Sequence, residues 1–167
     1  MLFHSHIFLF IFLPLFLTGW YWLHSRKQKK LAQGYLIGMS LWFYAYLNPT
    51  YVWLLTGSCL AGYTICLLLK HTTSKKRRKI LVTVGCLFHL GLLGYFKYAA
   101  FFVENINLLF RKDYVLTGVI LPVGISFYTF QQLAFLVDCY REEQKLCSLL
   151  RYFTFMTYFP QLLQGPI

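Results

Sequence analysis

Six long stretches with almost no charge divide this chain, and short charged segments separate them. They cover residues 7–23, 31–47, 51–69, 80–103, 114–137 and 146–163. A bilayer core about 30 Å thick takes ~20 apolar residues per helix, so runs of this length suit membrane crossing. Composition agrees: hydrophobic residues make up 58% and charged residues 13%. A soluble domain carries about 25% charged residues. The chain is therefore expected to be all-α, a polytopic transmembrane helical bundle of about six segments. Residues 1–167 are read as a single transmembrane domain, without a 20–50-residue internal repeat.

Charge placement predicts the topology. The net charge of +11 does not indicate nucleic acid, because the basic residues cluster between the apolar runs. If the N-terminus lies outside, the loops at 26–30, 70–79 and 138–147 all face the cytoplasm. They hold twelve of the sixteen Lys and Arg residues, and Lys75-Lys76-Arg77-Arg78-Lys79 forms the densest row. Anionic lipid headgroups are the expected neighbours. No Lys or Arg precedes the first run and no small-residue cleavage site follows it, so it is expected to be a retained anchor. The location expected is the inner (plasma) membrane, multi-pass.

Local signals refine the picture. Asn48-Pro49 favours a turn, so the second and third runs read as a tight helical hairpin with an aromatic tip. Residues 104–113 read as a mixed loop. Pro122 and Gly124 interrupt the fifth run early, and Pro160 breaks the sixth. Pro14 sits inside the first run, where neighbouring helices can accommodate it.

Few residues invite chemistry. There is no GxSxG, Walker loop, HExxH or GxGxxG. The five cysteines form no CxxC pair and read as small hydrophobes, with no metal site. Of five histidines only His89 is deep in an apolar run. A buried His serves as a proton relay or base in some proteins, and more often as a hydrogen-bonded interior side chain. Lys97 either snorkels to the interface or lines a cavity.

The richest stretch is 121–141. If helical throughout, it places Gly124, Gln131 and Asp138 on one face, because seven residues turn nearly two full turns. Gln131 and Gln132 are costly against lipid, so that face is expected to look into the bundle or a wet cavity. Asp138 and Arg141, at i,i+3, can pair. Helix-packing amides with an interfacial ion pair, and a functional site, both fit.

These residues resemble a known signature. Pro122, Gly124-Ile125-Ser126-Phe127, Phe130-Gln131, and Asp138 followed by Tyr140-Arg141 are similar to the membrane-bound O-acyltransferases, in the alginate O-acetyltransferase branch. Gly94-Tyr95-Phe96-Lys97-Tyr98 resembles that family's fourth-segment motif. Phe159-Pro160-Gln161-Leu162 with Gly165-Pro166-Ile167 resembles the motif that follows, and Phe43-Tyr44-Ala45-Tyr46 with Asn48-Pro49 also fits.

The resemblance implies a helical fold around a tunnel. It implies acetyl transfer from a cytoplasmic activated donor, acetyl-CoA or another acyl carrier, to hydroxyls of an extracellular polysaccharide such as alginate. Tunnel-lining or motif candidates are Lys97, Pro122, Gly124, Ser126, Gln131, Gln132, Asp138, Tyr140, Arg141, Pro160, Gln161, Gly165 and Pro166. No cofactor is expected to be bound. The family's catalytic His lies near a Trp in a later segment, and no Trp-His pair occurs here. The chain is thus expected to be the N-terminal portion of such an enzyme, truncated at its C-terminus, inactive alone and unstable where Gln131 and Gln132 lack later helices. Its expected partners are the lipid bilayer, the missing C-terminal half and periplasmic or extracellular polysaccharide-modification proteins. The alternative is a non-enzymatic membrane subunit or scaffold of a polysaccharide export or modification system. A small transporter is disfavoured, because no inverted repeat or matched pair of broken helices is seen.

Overall fold

A computed structural model describes residues 6–26, 28–110, 122, 124–142 and 148–164. Among these residues every regular element is helical. Helix α1 (Leu13–Ser25) is preceded without a break by a π-helical stretch, Phe8–Phe12. Then come α2 (Lys29–Leu47), α3 (Pro49–His71), α4 (Lys75–Phe110), α5 (Ile125–Arg141), α6 (Leu149–Thr157) and α7 (Phe159–Gln164). Three helical stretches, Phe8–Ser25, Pro49–His71 and Lys75–Tyr98, are each long and apolar enough to cross a membrane. The helical membrane bundle expected from the runs is borne out.

The chain divides into two compact units, residues 1–63 with 146–167, and residues 64–145. Helix α3 contributes to both, changing unit after Tyr63.

In the first unit, α2 packs against α1 and α6. The tip at Asn48 is as the sequence implies: Asn48 is extended (φ −165°) and its side-chain oxygen accepts the Thr50 N–H at 2.9 Å. Pro14 has no N–H to give to the carbonyl one turn back, and its ring crowds that carbonyl. The wider π turn lies immediately upstream, where Leu13 N–H reaches back to the Phe8 carbonyl. The strain of Pro14 is thus taken up within the helix itself.

Phe8, Phe12, Phe16, Met39, Phe43 and Phe159 form one core cluster of this unit. Phe159 stands at its centre, its ring edge-on to Phe12 at 5.2 Å and to Phe16 at 5.3 Å. The sixth run does break, but at Tyr158, two residues before Pro160; Tyr158 is extended and Phe159 opens α7. Nearby, Tyr35 donates its hydroxyl to the Leu15 carbonyl at 2.6 Å. Gly19 makes room for it: a Cβ there would fall 2.3 Å from the Tyr35 oxygen.

In the second unit α4 packs along α5. Two segments expected to be loops are largely helical. Residues 75–79 form the start of α4, leaving a connector of only three residues after His71, and α4 continues through 104–110. Lys and Arg are good helix formers, and no Pro or Gly interrupts residues 95–110. At 1.5 Å per residue, the 36 residues of α4 span about 54 Å, well beyond a bilayer core of about 30 Å.

Candidate functional site

Inside the second unit, buried polar groups meet between α4 and α5. Gly124 takes a left-handed conformation (φ 75°) and α5 starts one residue later. Glycine carries no Cβ penalty there, which suits the abrupt entry. Gly124 therefore stands before the helix and not on its face, which corrects the Gly124–Gln131–Asp138 alignment. The deeply buried side of α5 holds Ile125, Tyr128, Thr129, Gln132, Phe135 and Leu136. Gln131 sits beside this side, half-buried.

Helix α4 answers with Gly85 and His89. A Cβ on Gly85 would fall 2.9 Å from Leu136 and 3.1 Å from Ile65, so glycine lets the helices approach. One turn on, His89 is 1% exposed, as is Gln132. His89 Nδ1 lies 2.8 Å from the Gly85 carbonyl, and Nε2 lies 2.5 Å from the Gln132 side-chain amide. A neutral imidazole donates from one nitrogen and accepts at the other. Gln132 Oε1 faces Nε2; with Nδ1–H on Gly85, exchanging the amide O and N, which leaves the shape unchanged, lets its NH₂ donate to Nε2. Both ring nitrogens are then engaged. Of the two sequence alternatives for His89, the geometry matches the hydrogen-bonded interior side chain. Gln132 finds its partner within this chain, which corrects the expectation that it lacks one.

The C-terminal end of α5 is fastened to the start of α4. Arg78 donates to the Glu142 carboxylate and, at 2.7 Å, to the Tyr140 carbonyl. Its guanidinium also lies 5.8 Å from the Tyr140 ring centre. Glu142 ends the helix in a left-handed conformation (φ 63°). The last carbonyls of a helix lack partners within it, and Arg78 supplies one. Sequence reasoning singled out Tyr140 but missed Arg78 and Glu142. Arg78 was hidden within its row of cations.

The other candidates are dispersed. Ser126, Asp138 and Tyr140 are half-buried along α5, and Arg141 is exposed at its end. Pro122 is buried just before α5. Lys97 is exposed on α4, its ammonium 5.5 Å from the Tyr98 ring centre. Pro160 and Gln161 are half-buried in α7, within the first unit. Gly165 and Pro166 lie outside the described residues.

Comparison with known proteins gives a consistent result across the chain. The peptidoglycan O-acetyltransferase of Helicobacter pylori is 32% identical over all of this chain, which covers 37% of that protein. Probable alginate O-acetylases of Pseudomonas putida and Pseudomonas aeruginosa are each 36% identical, again over all of it. The chain covers 35% and 32% of them, so it spans about a third of the length of the curated relatives it matches. No family model matches the chain, and no solved structure does.

Proposed function

The chain is a relative of the O-acetyltransferases over its whole length, and from that premise we propose that it forms part of the membrane-embedded body of such an enzyme. The reaction is acetyl transfer from an activated acyl carrier to hydroxyls of an extracellular polysaccharide of the alginate or peptidoglycan kind. The observation that carries this reading is the similarity along the full chain to relatives named for both acceptors. It is a membrane protein, with apolar helices that suit it to the bilayer.

The described residues support a positioning part in that chemistry. Transfer needs a base to take the acceptor hydroxyl's proton. His89 has both ring nitrogens committed, to Gly85 and to Gln132, so it braces α4 against α5 and leaves no lone pair for an acceptor. Holding two substrates in line is itself worth several orders of magnitude in rate. We assign α4 and α5 to that rigid wall, with Gln131 and Asp138, which share a flank of α5, as its tunnel-side candidates. The base lies in sequence outside this third.

A chimera tests the reading. This chain replaces the matching third of the Pseudomonas putida relative, and acetyl esters on exported alginate are counted. Restoration to within about tenfold of the parent is expected, since positioning errors cost about 100-fold. The 167-residue chain alone is expected to give background ester. A chimera present in the membrane at parental amounts but yielding no ester would refute the proposal, as would robust turnover by the chain alone.

Orientation belongs to the same proposal. With the N-terminus outside and the inner membrane as its home, Asn48 faces out and the basic row at 75–79 faces in. In a variant lacking its native cysteines, a thiol placed at Asn48 is expected to react with an impermeant maleimide in intact cells. One placed at Ser74 is expected to react only after lysis. The opposite pattern reverses the topology.

A further inference from the structure

The basic row at the start of α4 has two sides. A helix turns about 100° per residue, so Arg78 lies about 160° from Lys76 around α4. Arg78 shares its side with Gly85 and His89, the residues that face α5. Lys76 shares the opposite side with Ile80, Thr83 and Leu87, with Lys79 about 60° away.

That opposite side is open. Ile80, Val84 and Leu87 are 55%, 54% and 64% exposed. Lys79, Ile80, Thr83 and Val84 line a shallow groove of about 260 Å³. Thr83 turns its hydroxyl back onto the Lys79 carbonyl at 2.8 Å, which satisfies its polar group within the helix. The first turn of α4 contains no acidic residue, and the Glu142 carboxylate is taken by Arg78. Lys79 thus borders an apolar furrow where the membrane-spanning stretch Lys75–Tyr98 begins, and Lys76 lies one turn before it on the same side of the helix.

We propose that this groove binds an anionic phospholipid, its phosphate between Lys76 and Lys79 and an acyl chain along Ile80, Thr83 and Val84. Charge complementarity selects the occupant. An apolar helix from elsewhere would fill the furrow but leave both ammonium groups unanswered. A lipid with a phosphodiester head and hydrocarbon tail answers both halves at the depth where headgroups lie. The proposal rests on the membrane location and not on acetyl transfer.

Photo-crosslinking in phosphatidylcholine vesicles tests it on the full chain. The vesicles contain a trace of diazirine-tailed phosphatidylglycerol or of diazirine-tailed phosphatidylcholine. Adducts on residues 80–87 are read by peptide mass. The anionic probe is expected to label this stretch in clear excess over the zwitterionic one. Lys76→Gln with Lys79→Gln is expected to remove most of the excess. Labelling by phosphatidylcholine, which also reports that the helix is inserted, is expected to persist. Arg77→Gln, about 100° from Lys76 and about 160° from Lys79, is expected to keep most of the excess.

Equal labelling by the two probes overturns the proposal. So does an excess that survives the Lys76/Lys79 change. An excess lost equally with Arg77→Gln would mean diffuse attraction and no defined groove. Abolition by millimolar coenzyme A in the wild-type chain would assign the phosphate site to a soluble donor.

Discussion

Phe159→Ala is expected to be the most damaging single change in the first unit, costing about 3 kcal/mol, at the lower end of the range for Phe→Ala in packed cores. Phe159 is 2% exposed and, besides its chain neighbour Tyr158, meets the rings of Phe8, Phe12, Phe16 and Phe43. In a membrane, helices have little hydrophobic drive toward one another, so close packing carries much of the association. Removing the ring strips contacts from the π-helical stretch, from the start of α1 and from α2 at once. Trp42, 5.6 Å from Phe12, provides the readout through its emission during thermal unfolding in detergent. Phe155→Ala, nearby in sequence but 51% exposed, is expected to shift the midpoint far less. Equal shifts for the two variants would show that Phe159 does not anchor the unit.

The second large effect concerns His89 and Gln132. Gln132→Leu leaves a His89 nitrogen buried without the amide it faces, and His89→Leu takes from the buried Gln132 amide its partner on α4. An unsatisfied buried polar group costs about 1–3 kcal/mol, whereas replacing both partners with apolar groups can be nearly neutral. The double variant is therefore expected to be more stable than the sum of the single variants predicts. Side-chain hydrogen bonds between membrane helices reach about 1.7 kcal/mol, and a pair this buried is expected to lie near that upper end. Unfolding of the four proteins in a denaturing detergent measures the coupling. A value indistinguishable from zero would mean the pair does not brace α4 on α5.

The membrane helices were legible because a bilayer demands uninterrupted apolar length. The turn at Asn48-Pro49 was legible because proline restricts the residue before it. The polar pair was half legible. His89 stood out as the one histidine deep in an apolar run, but nothing local named its partner, 43 positions away in the chain. Gln131 and Gln132 differ by about 100° around a helix, and periodicity through Gly124 pointed at the wrong one. That error came from assuming that the helix ran through Gly124. The extent of α4 was hidden for another reason. Hydropathy marks where a helix leaves the bilayer, not where it ends, so charged turns at 75–79 and 104–110 looked like loops.

The π-helical stretch has a further consequence. Residues four apart on an α-helix advance about 40° past a full turn, so a row at that spacing drifts around the axis. A π turn holds about 4.4 residues, and the same spacing there falls about 30° short. From Phe8 to Phe12 the row slips one way, and from Phe12 to Phe16 it slips back. The two errors nearly cancel, so the three rings return to one bearing and are buried together while Leu9, Phe10, Ile11, Leu15 and Leu17 remain exposed. The irregularity next to Pro14 thus acts as a phase correction that keeps an aromatic column aimed at Phe159.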